Sequence, residues 1–207
     1  MIKAILFDMD GVLIDSREWH YEALNAALEL FGYTIGREAH LSTFDGLPTR
    51  RKLAMLTETR NLPIGLHEFL NLLKQSYTLE ISYRRCKPVY YHQYALSRLR
   101  RDGYRMAVCS NSVRSSVETM MRLAGLDDYL DLTVSNEDVI RSKPDPEMYA
   151  GAIRSLGLKP DECLILEDGE SGIRAAKASG AHLLVVRTPD DVTYQNISNR
   201  IAEIAGV

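Results

Sequence analysis

Residues 2–7, Ile-Lys-Ala-Ile-Leu-Phe, form an almost unbroken apolar run that ends on Asp8. A strand buried on both faces of a parallel sheet has this texture, because neither face accepts a regular polar alternation. Similar runs recur at 105–109, 163–166 and 182–186, with a weaker one at 130–134. Helical patterns separate the later runs, at 113–124, 147–156 and 173–178. Gly125, Gly157 and Gly180 stand just past their ends, where a left-handed residue closes a helix. Asp145 followed by Pro146 reads as an N-cap with proline in the first turn. Strand and helix alternating in this way predict an α/β fold, a doubly wound parallel sheet built from βαβ crossovers.

The first connection breaks the rhythm. It runs from Asp8 to Arg105, far beyond one crossover helix, and contains helical patterns at 18–31, 49–59 and 66–83 with no convincing strand. In the first, Trp19, Ala23, Ala26, Ala27, Leu30 and Phe31 fall on one stripe. An all-helical domain, residues 17–87, is therefore expected as an insertion into a core of residues 1–16 and 88–207. The chain would rejoin the sheet through a helix at 89–101. Tyr77 and Tyr83 are expected in the core of the insertion.

Composition narrows the partners. The chain has 207 residues, 45% hydrophobic and 26% charged, which excludes wholesale disorder and supplies a core. A formal net charge of −3 with basic residues spread along the chain argues against a nucleic-acid partner. No apolar run approaches the roughly 20 residues of a membrane span. Asp8 comes too early for a secretory signal peptide, so a cytoplasmic protein is expected. Cys86, Cys109 and Cys163 have no paired spacing and read as packing residues in a reducing compartment.

Ligands of open parallel sheets bind beyond the carboxyl ends of the strands. There the sequence places Asp8, Asp10 and Gly11 after the first run, and Ser110 and Asn111 after the second. Lys143-Pro144 follows the third, and Glu167 and Asp168 the fourth. Each has a bland reading as a turn, cap or surface charge. Acids, a hydroxyl and a lysine converging on one edge do not.

Asp8-Met9-Asp10-Gly11-Val12-Leu13, Ser110-Asn111, Lys143-Pro144 and Glu167-Asp168 with Gly172 resemble the signatures of the haloacid dehalogenase (HAD) superfamily. The closest resemblance is to its β-phosphoglucomutase-like phosphatases, whose Rossmann-like core carries a helical cap in the first connection. The resemblance spans essentially the whole chain. It implies a Mg²⁺-dependent phosphatase acting on a small phosphorylated metabolite, a sugar phosphate for preference, through an aspartyl-phosphate. A monomer is expected.

By that resemblance Asp8 is the nucleophile, and Asp10 protonates the leaving group and then activates water. Ser110 and neighbouring backbone N–H groups, with Asn111, hold phosphate, while Lys143 stabilises the transferring charge. Asp8, the Asp10 carbonyl and Asp168 hold the metal, with Glu167 a ligand or an outer partner. In the insertion, His20 is either a packed helix residue or a hinge contact. Gly46, Thr49 and Arg50 match a specificity loop, in which Arg50 or Arg51 could bind an anion.

Asp10 and the acids argue against dehalogenase chemistry. Phosphonate cleavage would need a Schiff-base lysine in the cap, and Lys52 and Lys74 read as solvated helix charges. A mutase of the family carries a lysine three positions after the phosphate-binding serine, where this chain has Val113 beside Arg114. A non-enzymatic phosphate sensor is the remaining alternative, opposed by the completeness of the catalytic set.

Overall fold

The computed structural model describes residues 1–44 and 47–206. These divide into two compact units, Met1–Asp15 with Cys86–Val207, and Ser16–Arg85.

The first unit holds a parallel sheet of five strands in the order β3-β2-β1-β4-β5. They are β1 (Ala4–Phe7), β2 (Arg105–Cys109), β3 (Leu132–Val134), β4 (Cys163–Glu167) and β5 (His182–Val185). The central strand β1 pairs on one side with β2, Phe7 opposite Val108, and on the other with β4, Phe7 opposite Leu166. Burial follows position. β1 and β4 are buried at every residue, whereas β5, at the edge, is only half-buried and exposes Val185. That gradient explains the strength of the sequence pattern, since only strands with helices on both faces must be apolar throughout.

The helices run in chain order α1 (Arg17–Glu29), α2 (Arg37–Ala39), α3 (Thr49–Arg60), α4 (His67–Arg85), α5 (Tyr90–Arg101), α6 (Arg114–Leu123), α7 (Glu147–Ser155), α8 (Glu170–Ser179) and α9 (Tyr194–Ala205). Ala4, Leu6, Ala107, Cys109 and Ile165 pack with Met148, Ala152, Ala175 and Ala176 of α7 and α8. The alternate residues Ile5, Phe7, Met106, Val108, Leu164 and Leu166 face the other way and are equally buried. The sheet is thus covered on both sides, the doubly wound arrangement. Gly125, Gly157 and Gly180 all adopt positive φ, closing helices as their spacing implies. The three cysteines are buried free thiols.

Several local expectations need correction. β3 begins at Leu132 because Asp127–Tyr129 forms a short 3-10 turn ahead of it. Pro146 sits at the N-cap of α7 and not in its first turn, while the Asp145 carboxylate accepts from the Glu147 N–H at 3.0 Å. In the second unit the buried stripe of α1 is Ala23, Leu24, Ala27 and Leu28, rotated from the expected one. Ala26, Leu30 and Phe31 are exposed. The stripe buries against α3 and α4 through Leu53, Leu56 and Leu70, and that partnership decides which face turns inward. Tyr77 packs on this core, but Tyr83 is exposed. Among the described residues of the second unit there is no strand. No helix among the described residues is long and apolar enough to cross a membrane.

Candidate active site

The chain leaves β1 at Asp8 and immediately curls. The Met9 carbonyl accepts from the N–H groups of Val12, Leu13 and Ile14, and the Gly11 N–H donates back to Ile14 at 2.7 Å. Gly11 takes φ +88°, a conformation that a side chain resists. The curl buries Val12, Leu13 and Ile14 and holds Asp8 and Asp10 at the carboxyl end of the sheet. The strand order reverses between β1 and β4, which makes this edge the switch point where open α/β sheets bind ligands.

Lys143 lies at the centre. Its ammonium donates to Asp8 Oδ1 at 2.6 Å and Glu167 Oε1 at 2.7 Å, and also lies 2.8 Å from the Cys109 carbonyl and from Tyr149 Oη. Tyr149 Oη in turn donates to Glu167. Asp8, Lys143, Tyr149 and Glu167 are all buried. Lys143 lies on no strand or helix, and its backbone is pinned by Asn111. The Asn111 amide accepts from the Lys143 N–H at 3.1 Å and donates to the Lys143 carbonyl at 3.3 Å.

The electrostatics follow from the crowding. Burial is the main cause holding the Asp8 carboxyl well above the usual carboxylate range; Glu167 adds to it and Lys143 opposes it. Burial alone would lower Lys143, but Asp8 and Glu167 outweigh it and keep the ammonium charged beyond the ordinary lysine range. Burial, then Glu167 and Asp8, push the Tyr149 hydroxyl well up. One ammonium therefore serves two buried carboxylates, with a third close by. Asp8, Glu167 and Asp168 each present an oxygen, all within 4.8 Å of one another. Hard oxygen donors with excess negative charge suit a divalent cation such as Mg²⁺.

Asp10 faces the loop after β2. Its Oδ2 accepts from Ser110 Oγ at 3.2 Å and Ser112 Oγ at 2.9 Å. Glu167 lies close against Gly172, where an added Cβ would sit 1.9 Å from Oε1.

The structure therefore brings together Asp8, Asp10, Ser110, Asn111, Lys143, Glu167 and Asp168. Of the insertion residues, His20 lies on α1, its Nδ1 3.0 Å from Lys74 Nζ. Thr49 opens α3 and Arg50 is exposed on it. Gly46 lies outside the described residues. Lys52 is not solvated: it is buried on the face of α3 that carries Leu53 and Leu56, and Lys74 is engaged with His20. Tyr149 and Ser112 were not legible as site residues. A tyrosine inside a helix reads as core, and the second serine of Ser110-Asn111-Ser112 reads as a turn.

The fold and this edge define an α/β protein that gathers carboxylates and one lysine at a sheet switch point. The sequence profile of the haloacid dehalogenase-like hydrolases matches residues 5–186, and the chain belongs to that family. It is a phosphoric monoester hydrolase of the family. It is 27% identical over 179 residues to a phosphorylated carbohydrates phosphatase of Thermotoga maritima, covering 86% of this chain and 82% of that protein. It is 25% identical over 213 residues to the β-phosphoglucomutase of Bacillus subtilis, covering 94% and 93%. The structure of CbbY from Rhodobacter sphaeroides in complex with phosphate is similar with a TM-score of 0.79 at 26% identity, over 89% of this chain and 86% of that one.

Proposed function

We propose that the protein is a Mg²⁺-dependent phosphatase of small phosphorylated metabolites, sugar phosphates for preference, that works through an aspartyl-phosphate on Asp8. One observation carries the reading: a buried Asp8 bonded to Lys143 stands beside Glu167 and Asp168, with Asp10 two residues on. The similarity to a phosphatase of phosphorylated carbohydrates supports the substrate class.

Asp8, Asp168 and the Asp10 carbonyl would hold Mg²⁺, and Glu167 serves as a ligand or as the group that orients them. Bound there, the cation would offset repulsion between Asp8 and the phosphate. Asp8 attacks phosphorus, and Asp10 gives its proton to the leaving oxygen, then takes one from the attacking water. Lys143 holds Asp8 in line and supplies fixed positive charge to the transferring group. Ser110 and the backbone N–H of Asn111 bind phosphate oxygens. The unit Ser16–Arg85 acts as a substrate-selecting cap through His20, Thr49 and Arg50. A cytoplasmic location is part of the same reading.

A mutase is the second reading, favoured by the similarity to a β-phosphoglucomutase. Against it, Val113 replaces the expected lysine. Its neighbour Arg114 is already held by Asp138 and Glu118 and is a poor substitute. A phosphate-ester screen with Mg²⁺, including β-glucose 1-phosphate with catalytic bisphosphate, separates the readings. Free phosphate from one or more sugar phosphates is the expected result. Glucose 6-phosphate with little free phosphate would establish the mutase instead, and silence across all esters would point to a sensor.

Asp10→Asn sharpens the test. Turnover should fall by about 10²–10⁴-fold. A p-nitrophenyl ester needs little leaving-group protonation, so this variant should release a burst of phenolate and stall as phosphoenzyme. A sugar phosphate should give no burst. Equal losses on both, without a burst, would remove Asp10 from acid–base chemistry.

A further inference from the structure

One short stretch of chain supplies two donors to a single oxygen of Glu167. Lys143, on the loop before α7, donates to Oε1 at 2.7 Å, and Tyr149 Oη, on α7 itself, donates to the same atom. The direction of these bonds is forced. An ammonium can only donate, so the 2.8 Å contact of Lys143 with Tyr149 Oη makes the phenol oxygen the acceptor there. Its one proton is left for Glu167. The other carboxylate oxygen, Oε2, accepts from the Asp168 N–H at 3.3 Å. The Tyr149 ring is fully buried and packs in the core with Met148, Ala152 and Ile165, so its hydroxyl has no path to solvent. Lys143 alone would hold Glu167 loosely. Its ammonium is shared with Asp8 and the Cys109 carbonyl and rides on a flexible stem, while the terminal torsion of a glutamate is soft.

We infer that Tyr149 is a positioning residue for the cation: together with Lys143 it ties down Glu167 Oε1 and so keeps Oε2 turned toward Asp168 and a metal bound there. A phenol does this in a way that a second lysine could not. It holds the carboxylate without adding positive charge, so the excess negative charge of Asp8, Glu167 and Asp168 is left for a divalent ion. Groups that orient a metal-facing carboxylate commonly change affinity by about 10–100-fold. The inference rests on the Mg²⁺ site of the phosphatase reading and adds to it a residue from the interior of a helix, away from the strand ends.

Tyr149→Phe tests it, because the change removes one hydroxyl and strands no partner. Lys143 keeps Asp8, Glu167 and the Cys109 carbonyl, three acceptors for its three protons. Without metal the variant should melt within about 4 °C of the native protein, the worth of one hydrogen bond. Its dissociation constant for Mg²⁺, measured by titration calorimetry with no substrate present, should rise by about tenfold or more. Ala152→Gly is the control for a merely loosened helix. It weakens α7 at a buried position of the same core without touching the carboxylate, so it should melt lower and bind Mg²⁺ as the native protein does. Native-like Mg²⁺ affinity in Tyr149→Phe would overturn the inference and leave the phosphatase reading intact. An equal loss of affinity in Ala152→Gly, or a Tyr149→Phe chain that does not fold, would also overturn it, since the hydroxyl would then be structural. No Mg²⁺ binding by the native protein would remove the metal from the reading itself, and this role of Tyr149 with it.

Discussion

Lys143 carries more of the site than its length of side chain suggests, because one ammonium meets Asp8, Glu167, Tyr149 and the Cys109 carbonyl at once. Removing a single partner from such a group has different consequences for folding and for chemistry. Breaking a buried ion pair is costly when it leaves a charge stranded. Asp8→Asn does not strand Lys143, since Glu167 stays 2.7 Å away. The amide matches the carboxylate in size and relieves a group that burial and Glu167 already drive toward neutrality. Asp8→Asn should therefore fold and melt close to the native protein, yet lose at least about 10³-fold in turnover, or about 4 kcal/mol of transition-state stabilisation. Circular dichroism with steady-state rates checks both halves. Retention of more than a tenth of the activity would mean that Asp8 is not the nucleophile.

At the scale of elements, β1, β2 and β4 announce themselves as apolar runs because both of their faces are covered, and the acids at their ends are legible for the same reason. What lies beyond local pattern is less so. The rotation of α1 is set by packing on α3 and α4, a choice among faces of similar polarity that periodicity alone does not make. Lys143 is placed by a loop pinned through Asn111, and Tyr149 reaches Glu167 from α7, which packs against β2, β3 and α8. The junction of β4 and α8 shows how tightly elements share space. Gly172→Ala would set a methyl 1.9 Å from the Glu167 carboxylate, which cannot retreat without leaving Lys143 and Tyr149. Overpacking should outweigh the gain in helix propensity and cost about 1–3 kcal/mol, with a large loss of turnover. Gly151→Ala in α7 is the control. Its nearest neighbour is a side-chain end at 3.9 Å, so it should gain about 0.5–1 kcal/mol. Denaturant midpoints of the two variants moving in the same direction would contradict this account of the junction.

For the whole molecule the question is where its modest net charge of −3 is concentrated. Carboxyl groups crowd at one edge of the sheet unit, where Asp8, Glu167 and Asp168 come together with Lys143 as the buried counter-charge. A cation that binds there and not to the unfolded chain must stabilise the fold by mass action. At a hundred times its dissociation constant the gain is about 2.7 kcal/mol. For a chain of this size that corresponds to a rise of roughly 5–10 °C in the melting temperature of the sheet unit. NaCl at matched ionic strength screens exposed charges equally well, so it should not reproduce the rise. EDTA should reverse it. Asp168→Ala supplies the opposite pair of effects. Without metal it should melt at or above the native protein, because one crowded carboxylate has gone. With Mg²⁺ its rise should shrink to less than half, because an oxygen ligand has gone with it. Differential scanning calorimetry of both proteins, with and without Mg²⁺, measures all four values. An undiminished Mg²⁺ shift in Asp168→Ala would take the metal away from this edge of the sheet.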